Sequence, residues 1–304
     1  MNSLFITGSS GFIGRSLLSK IDPTKYRHIY CLSRNVRTTE ESPTHHKNVR
    51  FAEGSIYDYA IYAPYLASSG TVIHLAAATG KVGRDEYFTI NAKGTQFFID
   101  QCKQAGVQNF LYTSSIAVKF ADKSRYYYAQ SKELGEHAVR NSGLNYIIVR
   151  PTIVIGKDAA IWKSLSSLAR APITPIFGDG TTKIQPIYVG DLIDCLLSIV
   201  YENAFTNETF ELGGPDEITF ENFLRRIHYL SYGKEPWVIH IPLKLLTSVL
   251  STLEKGLYSL LPVTAGQLSA FSHDGTIQMN RIVRRHLSQM KGVDEMLRLV
   301  IGNA

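Results

Sequence analysis

Ser115, Tyr128 and Lys132 are the residues whose types and spacing could do chemistry. Tyr128 and Lys132 stand four apart in Tyr128-Ala129-Gln130-Ser131-Lys132, so on a helix they share one face. A free phenol has a pKa of about 10 and is a poor base at neutral pH. A neighbouring ammonium stabilises the phenolate and lowers that value. The phenol then exchanges a proton with a substrate hydroxyl or carbonyl while hydride moves to or from a nicotinamide. Ser115, at the end of an apolar run, would hydrogen-bond the same oxygen, and Lys132 would also reach the nicotinamide ribose. Tyr-x-x-x-Lys alone describes many solvated helix faces. Here it follows a glycine loop and a serine at a strand end, in that order, and of Tyr126, Tyr127 and Tyr128 only the last has a lysine four residues on.

The elements that must position these groups begin at the N-terminal end. Ser3-Leu4-Phe5-Ile6 reads as a buried strand, and Ile13, Leu17 and Leu18 keep helical spacing. Between them lies Thr7-Gly8-Ser9-Ser10-Gly11-Phe12-Ile13-Gly14. Strand, glycine turn and helix form the phosphate-cradling start of a dinucleotide fold. Gly8 permits the turn, Gly11 lets the backbone approach a pyrophosphate, and Gly14 lets the helix pack on the sheet. Further strands are expected at 28–33, 49–53, 71–76, 109–114 and 145–150, with helices at 94–105 and 129–141. In the first of these helices Phe97, Phe98, Gln101 and Cys102 keep helical spacing; in the second Leu134 and Ala138 share a face. A loop is expected over 35–48 and a short helix over 57–70. Strands alternating with helices predict an α/β fold with a Rossmann-type, doubly wound parallel sheet.

After Arg150 the pattern changes. Residues 172–186, rich in Pro, Gly and Thr, read as loops; a helix carries Leu192, Cys195, Leu196 and Ile199; 209–212 reads as a strand; Thr219 with Asn222 opens a helix over 220–230. The expected division is a dinucleotide-binding domain at 1–155, rejoined by about 184–203, and a smaller, mostly helical substrate lobe at 156–304. In 243–263 the residues Leu245, Leu246, Val249, Leu250 and Leu253 are spaced for one helix face, which favours a core or dimer helix over a membrane-surface or partner-binding one.

The second strand ends at Leu32-Ser33-Arg34, with no acidic residue to take the ribose hydroxyls. Arg34 could pair with a 2′-phosphate, with help from Arg37, so NADP is preferred to NAD. The 304 residues are 44% hydrophobic and 19% charged with net charge +6, an ordinary globule suited to anionic ligands. There is no dense basic run and no zinc-ligand spacing, so neither nucleic acid nor a metal is expected. Cys31, Cys102 and Cys195 are far apart and read as buried thiols in a reducing compartment. The opening strand leaves no room for a leader, and no stretch is apolar for long enough to span a bilayer, so a cytoplasmic protein is expected.

Together these motifs resemble the extended branch of the short-chain dehydrogenase/reductases, the NAD-dependent epimerase/dehydratase family. The likeness rests on the glycine loop, His74-Leu75-Ala76-Ala77, Asn91-Ala92-Lys93-Gly94-Thr95, Tyr112-Thr113-Ser114-Ser115, Tyr128 to Lys132, Arg150-Pro151-Thr152 with Gly156, and Gln185-Pro186-Ile187-Tyr188-Val189-Gly190-Asp191. It implies a Rossmann fold, a nicotinamide cofactor and the catalytic trio Ser115, Tyr128 and Lys132. It also implies a cofactor site built from Thr7, Gly8, Ser10, Gly11, Phe12, Ile13 and Gly14, from Ser55, Ile56, Leu75, Ala76, Ala77, Asn91 and Thr113, and from Pro151, Thr152 and Ile153 beside the nicotinamide. Ser55 stands where the family commonly has an Asp that contacts adenine, with Asp58 displaced from that role. The gap from Ser115 to Tyr128 is short for the extended branch, and Lys119-Phe120 replaces its frequent Tyr-Gly. The stretch after Pro262 is similar to atypical members related to an accessory subunit of respiratory complex I.

The expected function is an NAD(P)-dependent oxidoreductase or epimerase acting on a hydroxyl or carbonyl of a nucleotide-sugar-like small molecule. Arg150, Arg170, Arg225 and Arg226 could take a diphosphate, although each reads individually as a surface cation. A non-catalytic NADP-binding sensor or assembly protein, and a reductase of an apolar ketone, are the alternatives. Asp122 is the only acid between Ser115 and Tyr128, which disfavours dehydration. The helices at 94–105 and 129–141 could make a homodimer contact.

Overall fold

The computed structural model describes residues 3–35, 46–257, 261 and 263–302. Arg37, most of the expected loop at 35–48 and the end of the 243–263 segment lie outside the described residues. Two compact units partition the chain. The first comprises residues 1–115, 131–150 and 193–210; the second comprises 116–130, 151–192 and 211–304.

The first unit holds a seven-stranded sheet. Strands β1 (Ser3–Thr7), β2 (Ile29–Ser33), β3 (Val49–Glu53), β4 (Ser69–His74), β5 (Asn109–Thr113) and β6 (Asn145–Pro151) fall on the expected apolar runs to within two residues. Together with Glu208–Leu212 they stand in the order β3-β2-β1-β4-β5-β6 and then that last strand. Adjacent pairs among the first six are all parallel. Strands β1, β2 and β5 are buried almost throughout because helices cover the sheet, while the edge strand β3 buries only Ala52. These helices include α1 (Phe12–Lys20), α2 (Tyr59–Ala67), α3 (Thr95–Gln104) and α4 (Tyr127–Arg140). A core of Phe5, Tyr62, Val72, Phe98, Phe110, Tyr112 and Ile148 fills the layer between sheet and helices. Helix α3 buries Phe98 and Cys102 as its spacing predicts, and is preceded by a π-helical stretch, Phe88–Gly94. Helix α4 departs from expectation. Leu134 is 48% exposed, and the buried face is made instead by Ser131, Lys132, Gly135, Glu136 and Val139, beside Ala138.

The chain order reverses between β1 and β4, the position at which open α/β sheets hold ligands. Gly8 follows β1 directly, with φ at +70°, and a Cβ there would lie 2.6 Å from the Ala76 nitrogen just past β4. Only glycine combines that backbone angle with that approach. A Cβ on Gly14 would reach 2.3 Å from the Gly8 carbonyl oxygen, so α1 packs directly on the turn that precedes it.

In the second unit the region 172–186 is not all loop. Ile173–Phe177 is strand β8, parallel to Trp237–Ile241, while β7 (Val154–Ile155), β9 (Lys183–Ile184) and β10 (Ile187–Tyr188) are short. Thr174 and Ile176 alternate inward, a period-two signal that the surrounding Pro, Gly and Thr obscure. Helix α5 (Ala160–Ala169) is followed by α6 (Val189–Tyr201), which carries the expected buried stripe of Leu192, Cys195, Leu196 and Ile199. Helix α7 (Phe220–Tyr232) is capped by Thr219, whose hydroxyl accepts from the Asn222 N–H at 3.2 Å. Helix α8 (Leu243–Leu257) is only partly a core helix. Leu250 is buried among Ala265 and Leu268, with Leu246 and Phe177 packed against them. Leu245, Val249 and Leu257, spaced at multiples of four, are 63%, 47% and 47% exposed. The apolar arc of α8 is wider than the neighbours that cover it.

All three cysteines are free and buried. Among the described residues no helix is long and apolar enough to cross a membrane, and no cluster of His, Cys, Asp and Glu could hold a metal.

Gly8→Ala should lower the unfolding free energy by at least about 2 kcal/mol, from a strained φ together with the backbone clash. Urea denaturation followed by circular dichroism measures it.

Candidate active site

The candidate site residues fall in three segments. The first is the stretch after β5, Ser114-Ser115. Ser115 is half-buried, and Ser114 is 3% exposed. The second is α4, where Tyr128 is half-buried and Lys132, one turn later, is 1% exposed. The third is the end of β6, where Pro151 and Thr152 are buried and Ile153 is half-buried.

Lys132 is held in a well-defined place. Its Nζ donates to the Thr113 carbonyl at 2.7 Å and lies 4.1 Å from the centre of the Tyr112 ring. Burial pushes its amine down from 10.5 to about 7, and attraction to Glu136 opposes that fall. The helix can come this close because residue 135 is glycine: a Cβ there would lie 2.2 Å from the Tyr112 hydroxyl. Thr113 lends its carbonyl to Lys132, while its own buried hydroxyl has no hydrogen-bond partner among the described residues.

Glu136, fully buried, is the second charge on that face. It accepts from Ser114 Oγ at 2.6 Å, from Arg150 Nε at 2.7 Å and a second Arg150 nitrogen at 2.6 Å, and from Arg140 at 2.7 Å. Burial alone would raise its carboxyl, but the hydrogen bonds from Arg150, Ser114 and Arg140 outweigh burial and hold it below the ordinary carboxylate value. Arg150 is therefore an internal partner and not the surface cation its sequence context suggests. Arg225 and Arg226 pair with Glu221 and Asp294, and Arg170 donates to Ser231.

A second polar relay runs through His74. Thr7 Oγ1 accepts from the Ala76 N–H at 3.2 Å and shares a hydrogen bond with His74 Nδ1 at 2.7 Å. On the other side of the ring Nε2 shares one with Thr95 Oγ1 at 3.2 Å, so one ring nitrogen of the neutral imidazole donates and the other accepts. Burial, reinforced by Lys132, depresses the imidazole from 6.5 to about 3. Thr7 is fully buried and its hydroxyl is engaged in this relay. Asn91, also fully buried, ties the chain after β4 to α4: its carbonyl accepts from Ala78 N–H at 2.7 Å, and its amide donates to Ala78 O and to Ser131 Oγ, both at 3.0 Å.

The glycine turn fits a dinucleotide. Gly11 is the exposed N-cap of α1 with no side-chain cap, and the first turn has no acidic residue, so nothing on the helix competes for or repels a phosphate. Ser10, Phe12 and Ile13 are half-buried around it, with Ser10 O accepting from Arg15 at 2.6 Å. Leu75, Ala76 and Ala77 are half-buried along the end of β4, and Arg34 is exposed just past β2. Ser55 is half-buried with its hydroxyl donating to Asp58 at 2.9 Å and accepting from the Tyr57 N–H at 3.2 Å; Ile56 is buried. Glu136, Arg140 and His74 are the site-wall residues that motif reading passed over. A Glu four residues after Lys132, with an Arg four further on, was the available signal.

Comparison with known proteins follows this geometry. The model of the NAD dependent epimerase/dehydratase family matches residues 4–213. The uncharacterized protein y4nG of Sinorhizobium fredii is 26% identical over 245 residues, covering 74% of this chain and 59% of that protein, so the chain spans about three fifths of that relative's length. The UDP-glucose 4-epimerase of Vibrio cholerae is 23% identical over 266 residues, 79% of each chain. Among solved structures, a UDP-glucuronic acid 4-epimerase from Bacillus cereus, in complex with NAD, superposes with a TM-score of 0.68 at 19% identity, covering 99% of this chain and 98% of its own.

The depressed His74 gives a pH prediction. An unfolded histidine titrates near 6.5, so between about pH 6.5 and 3 the unfolded chain binds the extra proton and folding stability falls as pH falls. This stability is complete above pH 6.5 and is lost towards pH 3, by about 1.4 kcal/mol per pH unit within the window. His74→Gln should flatten that acid slope, as measured by urea unfolding at a series of pH values.

Proposed function

Since the chain belongs to the NAD-dependent epimerase/dehydratase family, we propose that it is an NAD(P)-dependent oxidoreductase or epimerase acting on a hydroxyl or carbonyl of a nucleotide-sugar-like substrate. One observation carries the reading: Lys132, one helical turn from Tyr128, is buried and pinned to the Thr113 carbonyl at 2.7 Å, two residues before Ser115. A solvated helix face has no physical reason to bury an amine at that strand end.

Tyr128 is the acid/base. When a substrate alcohol is oxidised, its hydroxyl proton passes to the Tyr128 phenolate; when a carbonyl is reduced, Tyr128 returns a proton to the oxygen. The nicotinamide supplies the carbon that takes or gives the hydride. Ser115 donates to the reacting oxygen and holds it in line. Lys132 lowers the phenol pKa and donates to the nicotinamide ribose. Thr113, with its buried hydroxyl otherwise unpartnered, is the wall residue that a ribose hydroxyl would satisfy. Gly8, Ser10, Gly11, Phe12, Ile13 and Gly14 would hold the pyrophosphate of such a dinucleotide; Leu75, Ala76 and Ala77 would line it; Ser55 and Ile56 would serve its adenine and Pro151, Thr152 and Ile153 its nicotinamide. Arg34, exposed at the end of β2, pairs with a 2′-phosphate and favours NADP. Thr7 and Asn91 serve this site through the turn and strut that they hold. The nucleotide-sugar class is supported by the similarity to the UDP-glucose 4-epimerase of Vibrio cholerae.

The test is turnover of UDP-glucose and UDP-glucuronic acid with each dinucleotide, read by product chromatography and nicotinamide absorbance. Tyr128→Phe should lower kcat by a factor on the order of a hundred or more while dinucleotide Kd, from fluorescence titration, stays within about twofold. Near-wild-type turnover in that variant would overturn the assignment. Arg34→Ala should weaken NADPH by about tenfold and leave NADH unchanged, the loss expected for one charge-assisted contact.

A further inference from the structure

Glu136 makes no contact that a proton-transfer role requires, yet it joins every segment that carries the site. Its carboxylate accepts from Ser114, the residue before Ser115. It lies one helical turn past Lys132 and two past Tyr128 on α4. It accepts both nitrogens of a bidentate fork from Arg150, the residue before Pro151. Arg140, its fourth donor, also donates to Thr209 Oγ1 on the seventh strand at 3.2 Å. A fully buried carboxylate with four donors is rigid, because any shift leaves a charge uncompensated in a dry interior.

We propose that Glu136 is a positioning residue: one buried carboxylate that fixes Ser115, the Lys132 face of α4 and the Arg150 end of β6 relative to one another. The proposal rests on the functional reading above only for its kinetic arm. Ser114 is the sensitive link. Its hydroxyl ties the carboxylate directly to the strand end that delivers Ser115. Removing it keeps the Arg150 and Arg140 bonds that hold the helix to the sheet.

Two variants test this, Ser114→Ala and Glu136→Gln, the first as the variant whose fold is preserved. Three readouts are compared with wild type: kcat and KM for UDP-glucose or UDP-glucuronic acid, NADPH affinity with the melting temperature, and the rate of Lys132 acetylation by acetic anhydride. That rate is followed by mass spectrometry relative to exposed Lys93. Expected for Ser114→Ala is a fall in kcat of about tenfold with KM and Kd within about twofold, a melting temperature lowered by only a few degrees, and Lys132 labelling about fivefold faster, with larger changes in Glu136→Gln. The magnitudes are those of a lost charge-assisted hydrogen bond. A purely structural role predicts instead that Ser114→Ala matches wild type in kcat and labelling, and that Glu136→Gln loses activity only in proportion to its unfolded fraction; that result overturns the proposal. If wild type neither binds NADPH nor turns over either sugar nucleotide, the functional reading fails by itself. Lys132 labelling then decides for Glu136: a rate unchanged in both folded variants overturns the proposal, and a rise supports it.

Discussion

Burying the amine of Lys132 is the constraint from which much of the surrounding architecture follows. An ammonium taken out of water is tolerated only where fixed dipoles and an opposite charge replace the solvent. Here the dipole is the Thr113 carbonyl, the aromatic face is Tyr112, and the opposite charge is Glu136 one turn away. Glu136 is itself fully buried and demands donors, which Arg150, Arg140 and Ser114 supply. Helix α4 must then lie against β5 closely enough for these bonds to form, and that closeness is why residue 135 has no side chain. Amine, carboxylate, guanidinium and glycine are thus successive answers to one electrostatic problem.

The same layer holds a second polar chain built on different chemistry. Thr7, His74 and Thr95 connect the end of β1 to the end of β4 and to α3 through a neutral imidazole. Lys132 is near enough to oppose protonation of that ring. Asn91 then carries the connection from Ala78 to Ser131, the neighbour of Lys132. The two sets of hydrogen bonds brace the end of β1 and the start of α4 against the segments that follow β4.

The parallel sheet was legible in the sequence because buried strands read as short apolar runs, and 3–6, 49–53 and 109–114 lie within a residue of the observed bounds. The glycine turn was legible because its residue types answer backbone demands, a left-handed angle at Gly8 and a steric one at Gly14. Reading failed where burial is polar. Periodicity looks for apolar faces, so it picked out Leu134 and Ala138 on α4, while Leu134 is exposed and the inward face includes Lys132, Gly135 and Glu136. Arg150 looked like a solvated cation because its partner lies fourteen residues away on another element. Strand β8 was hidden by Pro, Gly and Thr, since its partner strand, Trp237–Ile241, is distant in the chain. On α8 spacing identified an apolar arc but could not say how much of it neighbours cover, and Leu245 and Val249 are left in solvent.

The three buried cysteines have a practical consequence. Cys31 and Cys102 are fully enclosed, and burial raises both thiols above their ordinary value, so the reactive thiolate is scarce as well as inaccessible; Cys195 is equally enclosed. The folded protein is accordingly silent to maleimides and other thiol reagents. A single cysteine placed on the exposed face of α4, at Leu134 for example, becomes a unique attachment point for a fluorophore or spin label, with no native thiol to remove first. Helix α4 can then be watched directly as candidate ligands are added.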